Sequence, residues 1–352
     1  MRIKKTYPDI PFSKKKNRND PFVIAEIGHN HKGSIKLAKE LFYQAKKCGA
    51  SAVKLQKRDN KILYTEKFYN QPYDHKNSYG STYGKHREFL EFSFSQYVEL
   101  KKYAKKIGII FLCTPFDEPS VDFLEKVNLD AYKIASADLI NTPLQLKIAK
   151  TKKPIFLSTG GGNYKDIKRA VQNISKINKK LIILHCTASY PVEIEDMNLN
   201  VITKLKQQYP NNTIGLSDHE NGIDAASIAY MLGARVFEKH FTLNRSWKGT
   251  DHSFSLEPHG LERLIRNLKR IPILLGSKNK KLLNSEKEPM RKMQKSIVAF
   301  RNIQKGTKIK YQDLIFKSPG GGFKPYEFKK ILGKKAKKLI LKDELILKKS
   351  LI

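Results

Sequence analysis

Eight short apolar runs, each followed by a polar loop and a longer segment with helical spacing, constrain this chain more than any other feature. They are FVIAEIG (22–28), AVKLQ (52–56), IIFLCTPF (109–116), AYKIAS (131–136), PIFLSTG (154–160), LIILHCT (181–187), TIGLSDH (213–219) and VFEKHFT (236–242). The intervening segments, such as SIKLAKELFYQAKKCGA and SQYVELKKYAKKIG, repeat apolar residues at i, i+3 and i+4 and close on a glycine. Near-continuous apolar strands alternating with amphipathic helices require a parallel sheet covered by helices. Eight such units over about 250 residues predict an α/β fold, a (β/α)₈ TIM barrel, ahead of an open doubly wound sheet.

Active sites of such barrels sit at the C-terminal ends of the strands. All eight runs here end in polar chemistry: Glu26; Lys54 with Gln56; Thr114; Lys133 with Ser136; Ser158 with Thr159; His185; Ser217 with Asp218 and His219; and His240. Eight polar ends on one face predict a site. The last run poses the sharpest question, because Val236 and Phe237 lead into three consecutive ionisable residues, Glu238, Lys239 and His240.

His219 and His240 close neighbouring strands and form the best metal-ligand pair in the chain. Neutral imidazoles suit Mn²⁺, Fe²⁺, Co²⁺ or Zn²⁺, and a site with few protein ligands leaves positions for substrate. Either histidine taken singly is more often a structural hydrogen-bonding residue. Lys54 and Lys133 rise from otherwise apolar strands, where an unpaired ammonium is expensive. Their partner is an internal carboxylate, such as Glu26 or Asp138, or a bound phosphate or carboxylate. Ser136, Ser158, Thr159 and Ser217 add hydroxyl donors to the same rim. A Schiff base on Lys133 is a rival use of that lysine. The run STGGGN (158–163) lacks the Walker ending and reads as a plain loop sooner than a phosphate cradle. YNQPYDHKNSYGSTYGK (69–85) is long for a barrel loop, and its tyrosines, histidine and lysines suit a cover over a polar substrate.

Beyond Gly276 the alternation stops. The expected organisation is a basic segment over 1–20, the barrel over 21–276, a linker over 277–292 and a small, mainly β module over 293–352. A module of that size buries little by itself and should dock on the barrel or on a partner subunit. The net charge of +35 invites a nucleic-acid partner, but 56 lysines against 12 arginines, spread from end to end, describe a solvated surface instead. We therefore expect no nucleic-acid role. No apolar run approaches the roughly 18 residues of a membrane span, and no apolar stretch follows the basic start as in a secretory signal. Cys48, Cys113 and Cys186 lack Cys-x-x-Cys spacing and read as buried reduced thiols, which suits the cytoplasm.

Several motifs together resemble one family. IAEIGHNHKGSIKLAKEL, AVKLQK, TPFDEPSVDFL, YKIASADLINTPL, HCTASYPVEIEDMNL, GLSDHENG and EKHFTLNRSWKGTDHSFSLEP closely resemble, in order, the sialic acid synthases, and the C-terminal part looks like their SAF, or antifreeze-like, domain. The resemblance implies condensation of phosphoenolpyruvate with an N-acylmannosamine to give a nine-carbon keto acid and phosphate. It implies that His219 and His240 bind Mn²⁺, or Mg²⁺ or Co²⁺, to polarise the open-chain aldehyde. Lys54, Lys133, Thr114, Ser136, Ser158 and Ser217 would surround phosphoenolpyruvate, with Gln56 nearby, and Glu26 would be the essential carboxylate. Tyr190 and Asp251 would contact the sugar.

YDHKNSYGSTYGKHREFLEFS and WKGTDHSFSLEP look most like the animal-type branch, which takes N-acetylmannosamine 6-phosphate where the usual bacterial enzymes take the free sugar. His75, Lys76, Lys85, His86 and Arg87 are then the cationic groups that would meet a phosphorylated acceptor. Two positions depart from the family pattern. Asp138 stands where bacterial members often carry Glu, and Ser318 where they carry an Arg that reaches into a partner subunit's site; either Lys317 or Lys324 substitutes for it, or the animal-type site does without the contact. The shared site implies a domain-swapped homodimer. A legionaminate or pseudaminate synthase is the second reading, and a Schiff-base aldolase or a non-catalytic glycan-binding module are readings of other classes.

Overall fold

Parallel pairing runs in chain order through β1 (Phe22–Gly28), β2 (Ala52–Lys57), β3 (Ile110–Pro115), β4 (Ala131–Ile134), β5 (Ile155–Ser158), β6 (Leu181–Cys186), β7 (Thr213–Asp218) and β8 (Val236–His240), and β8 pairs back onto β1. In this computed structural model the described residues are 9–10 and 20–352, so the expected basic segment over 1–20 lies almost wholly outside them. All eight expected strands form, and the barrel is closed, not open.

Alternation along each strand creates two cores. Phe22, Ile24, Ala52, Ile110, Leu112, Ala131, Phe156, Ile182, Leu184 and Val236 point inward and plug the N-terminal part of the barrel. Their neighbours, including Val23, Val53, Phe111, Tyr132, Leu157 and Phe237, point outward and meet the helices. The helix Ile35–Lys47 shows how the outer layer is specified. Ser34 caps it by accepting from Leu37 N, Lys46 and Lys47 occupy its last turn, and Ala38, Leu41, Phe42 and Ala45 form its buried stripe. Phe94–Ile107 begins with a Ser93–Gln96 capping box and stops at Gly108, whose φ of 72° suits a residue without Cβ. Truncating a fully buried side chain such as Leu41 costs about 2–5 kcal/mol.

The chain divides into two compact units, Met1–Leu275 and Gly276–Ile352. The segment 277–292, expected to be a linker or an irregular connection, is in fact helical over Asn284–Met293. Glu286 accepts from Leu283 N at 2.7 Å and Arg291 pairs with Glu288. No apolar stripe announces this helix, and Pro289 lies inside it, which hides it from periodicity. The second unit pairs β9 (Ser296–Ala299) with β10 (Leu314–Lys317) antiparallel and adds single bridges such as Ile303–Ile340 and Ala336–Leu351. Its own small core holds Ile297, Ala299, Ile303, Ile309, Ile331 and Ile340.

Candidate active site

The inward alternation that plugs the barrel continues past its apolar layers. Two residues beyond Ile24 comes Glu26; beyond Ala52 come Lys54 and Gln56; beyond Leu112, Thr114; beyond Ala131, Lys133; beyond Phe156, Ser158; and beyond Val236, Glu238 and His240. Nearly every one of these polar side chains is buried. The lysines, the carboxylates, Thr114 and Gln56 engage one another. Lys54 Nζ lies 2.9 Å from Glu26 Oε2, donates to Thr114 Oγ1 at 3.1 Å and stands 3.7 Å from Glu238 Oε1. Lys133 Nζ donates to Glu238 Oε1 at 2.7 Å, and Ser217 Oγ donates to the same oxygen at 3.1 Å. Gln56 Nε2 donates to Glu26 Oε1 at 2.7 Å. Burial works against the Glu238 charge, yet Lys133 and Lys54 hold its carboxyl down at about 2. Burial likewise opposes the Lys54 charge, and Glu238 and Glu26 outweigh it, raising the ammonium above its ordinary value.

Period two also resolves the three ionisable residues of β8. Glu238 and His240 face the interior, whereas Lys239 faces outward and pairs with Asp218 at 2.7 Å, its register neighbour on β7. The same parity corrects the expectation that all the polar strand ends converge. His185 points to the helical layer and donates Nε2–H to Met197 O at 2.7 Å. Thr159 Oγ1 donates to Leu184 O at 2.9 Å, and Asp218 is taken by Lys239. At the end of β6 the inward residue is Cys186, whose Sγ lies 3.4 Å from Ser136 Oγ.

His219 and His240 do come together, with ring centroids 5.5 Å apart. His219 donates Nδ1–H to Thr187 O at 2.9 Å, a contact that fixes the tautomer and leaves the Nε2 lone pair free. Burial and the neighbouring His240 push the His219 imidazole down to about 3, so it is neutral at pH 7. His240 Nδ1 is a buried nitrogen without a hydrogen-bond partner, 3.7 Å from Asp251 Oδ2. A neutral His219 with a free Nε2, beside a His240 whose buried Nδ1 is unpartnered, suits a divalent cation that completes its coordination with water and substrate. Among the described residues no group of three or more His, Cys, Asp or Glu side chains converges as a metal cage.

The Tyr190 ring lies tilted against His219, centroids 4.1 Å apart, while remaining 54% exposed. Burial opposes the Asp251 charge, but His240, the Thr250 hydroxyl, Arg87 and Arg58 hold its carboxyl below the usual range. Gly28, at φ +52°, leaves room between three of these groups, since a Cβ there would stand 3.2 Å from Asp251, Gln56 and Glu26. Ser136 accepts from Gly160 N at 3.2 Å, and the Ser158 hydroxyl is buried without a partner. Asp138 does not pair with Lys133; its Oδ1 accepts from Asn141 at 3.0 Å, its Oδ2 has no partner, and burial raises its carboxyl.

Of the five cationic groups in the 75–87 segment, His75, Lys76 and Lys85 are exposed, His86 is buried, and Arg87 turns inward onto His29. Ser318 lies in the second unit, where it accepts from Lys295 at 2.9 Å; Lys317 there is paired with Asp343. Sequence reasoning missed Glu238, Arg58 and His29. The signal for Glu238 was its parity with His240, and for Arg58 its parity with Gln56.

Comparisons with known proteins agree with this geometry. Residues 41–280 match the NeuB family, and residues 294–352 match the SAF domain. The chain is 39% identical to the N-acetylneuraminate-9-phosphate synthase of Mus musculus, over 94% of this chain and 92% of that protein. It is 38% identical to the N,N'-diacetyllegionaminic acid synthase of Campylobacter jejuni, over 92% of this chain and 98% of that protein. Among solved structures, the N-acetylneuraminic acid synthetase of Leptospira borgpetersenii superposes with a TM-score of 0.67 at 32% identity, covering 78% of this chain and 91% of that one. The closed barrel with its inward lysine, carboxylate and histidine set, followed by a SAF domain, belongs to the NeuB family.

Proposed function

We propose that this protein condenses phosphoenolpyruvate with N-acetylmannosamine or its 6-phosphate, giving N-acetylneuraminate or its 9-phosphate and inorganic phosphate. The observation that carries the reading is the inward set itself. Two buried lysines share one carboxylate, Glu238, beside Glu26 and close to the imidazole pair of His219 and His240. Lys54 and Lys133, with the Thr114, Ser136, Ser158 and Ser217 hydroxyls, offer the donors that a phosphate and a carboxylate on one small molecule require.

The donor's C3 forms a bond to the acceptor's aldehyde carbon, and the aldehyde oxygen becomes an alkoxide that takes up a proton. The donor's C2 is left electron-poor. Glu26, fixed by Lys54 and Gln56, stands ready to stabilise that charge and to take a proton from the water that adds to C2. Collapse of the resulting adduct expels phosphate and leaves the keto acid. A divalent cation, Mn²⁺ by preference or Mg²⁺ or Co²⁺, held by His219 and His240 would supply Lewis-acid polarisation of the aldehyde. Tyr190 and Asp251, flanking the histidines, would orient the sugar. In assembly we read the chain as a domain-swapped homodimer, which sedimentation of the full chain tests.

The likeness to the Campylobacter jejuni enzyme favours a second reading, a legionaminate or pseudaminate synthase acting on a decorated deoxysugar. A Schiff base on Lys133 is disfavoured by its ion pair with Glu238. The deciding experiment is phosphate release from phosphoenolpyruvate with Mn²⁺, offering N-acetylmannosamine, its 6-phosphate, a diacetylated deoxysugar or no sugar. Release with either mannosamine supports the first reading. Release only with the deoxysugar supports the second, and release with none of them overturns both.

A further inference from the structure

Arg58 and Arg87 are the unexplained charges of the barrel mouth. Arg58 is 6% exposed, stacked at 3.8 Å on Phe116, and Arg87 is half-buried on the short helix Tyr83–Phe89. Neither makes an ion pair among the described residues. The carboxylates whose fields reach them are engaged elsewhere, Glu91 with Lys57 at 2.7 Å, Asp251 with the Thr250 hydroxyl at 2.8 Å and Asp138 with the Asn141 amide at 3.0 Å. Buried guanidinium groups ordinarily have an anion.

Their contacts fall short of their donors. Arg58 Nη2 donates to Gln56 Oε1 at 2.6 Å, while Arg87 Nε and Nη2 share one neutral acceptor, the Tyr83 hydroxyl, at 3.0 and 2.8 Å. Each arginine also directs an Nη1 at His29, Arg58 at Nε2 (2.9 Å) and Arg87 at Nδ1 (3.2 Å). A neutral imidazole has one in-plane lone pair and a protonated one has none. At least one of the two guanidinium N–H groups therefore faces an N–H and lacks an acceptor, whichever tautomer is drawn. Burial, Arg58 and Arg87 keep His29 far below its ordinary value, so it does not serve as a third cation at pH 7.

The cluster adjoins the site. Gln56 links Arg58 to Glu26. The loop before Arg87 is tied to the segment leading to Asp251, through Gly249 N to Asn77 Oδ1 at 3.2 Å and Tyr79 to Lys248 O. The donor's anionic groups already have Lys54, Lys133 and the hydroxyl rim. We infer that Arg58 and Arg87, spaced by His29, form a phosphate-monoester subsite that takes the terminal phosphate of the acceptor sugar. Two guanidinium forks match the three oxygens of such a group and supply the acceptor that the His29 contacts lack. The inference rests on the synthase reading above and selects the phosphorylated acceptor within it.

The test combines turnover with binding, using the full chain with Mn²⁺. For the wild type and for Arg58→Gln, Arg87→Gln and Arg87→Lys, phosphate release is measured with N-acetylmannosamine 6-phosphate and with N-acetylmannosamine. The same two sugars are titrated calorimetrically. We expect the wild type to prefer the phosphorylated sugar in both assays. Each Gln variant should cut that preference by roughly tenfold to a hundredfold, mainly through acceptor KM, with Arg87→Lys retaining part of it. Thermal melts identify a variant that does not fold, in which case Arg87→Lys and the other Gln variant decide. An unchanged preference in folded variants overturns the subsite while leaving the synthase reading intact. So does equal binding of the two sugars by the wild type, or a rise in phosphoenolpyruvate KM in place of acceptor KM. Absence of turnover with every acceptor, together with tighter binding of the phosphorylated sugar that the Gln variants lose, upholds the subsite and overturns the reaction.

Discussion

Lys133 Nζ and Glu238 Oε1 sit 2.7 Å apart inside the barrel although 105 residues separate them in the chain. Lys54 approaches the same oxygen from β2, so a single carboxylate on β8 organises two ammonium groups, one from β2 and one from β4. An anionic ligand arriving here meets lysines already held in place.

Glu238→Gln keeps the side-chain volume and removes the shared charge. Leaving buried lysines short of a partner should cost about 3–5 kcal/mol in urea unfolding, and phosphoenolpyruvate should raise the melting temperature of the variant more than that of the wild type. The pH sign follows from a depressed carboxyl. Its stabilisation is complete above the ordinary carboxylate range, near 4.3, and is lost as pH falls toward about 2. The variant should lack that part of the acid transition. Identical acid limbs in the two proteins would refute this.

Chelation tests the histidine pair. Treatment with EDTA should abolish phosphate release and Mn²⁺ should restore it, and His219→Ala or His240→Ala should lower kcat/KM by roughly a hundredfold or more. Activity that survives EDTA would remove the cation from the reaction.

Three further buried histidines make the fold acid-sensitive. Burial holds His31 at about 3, and His86 and His252 at about 4. For a base whose folded value is depressed, the stabilisation is present above its ordinary value near 6.5 and lost as pH falls toward the folded value. Each should contribute a slope of up to about 1.4 kcal/mol per pH unit in that window. Stability measured from pH 7.5 to 4.5 should fall steadily; a flat profile would contradict the buried neutral imidazoles.

Gly160→Ala probes the glycine run. An added Cβ would stand 2.7 Å from Ser136 Oγ and 3.0 Å from Ala188 Cβ. The clash should cost about 1–3 kcal/mol of stability and, by displacing the Ser136 hydroxyl, raise the KM for phosphoenolpyruvate. Unaltered donor KM in a folded variant would detach Ser136 from the donor site.

Legibility followed range in the chain. The eight strands and the capped helices could be read because their signals, period two, period 3.6, Ser34 and Gly108, are local. Lys54, Lys133, His219 and His240 stood out as ionisable residues in apolar surroundings. His185 and Thr159 misled because polarity at a strand end says nothing about which side of the sheet a residue faces; that follows from parity relative to the apolar plug. The helix Asn284–Met293 was hidden because it lacks an apolar stripe.

What the sequence determined by itself was the architecture and the chemical inventory: a parallel barrel, polar groups at its strand ends, and two histidines on adjacent strands. Tertiary structure decided who meets whom. That Glu238 serves two lysines, that Lys239 turns away to Asp218, and that Arg58 and Arg87 close on His29 depends on barrel closure and on register, which bring residues from distant segments within hydrogen-bonding reach. Charge and hydrogen-bonding pairings of that kind act over a few ångströms in space, and no local pattern in the chain encodes those distances.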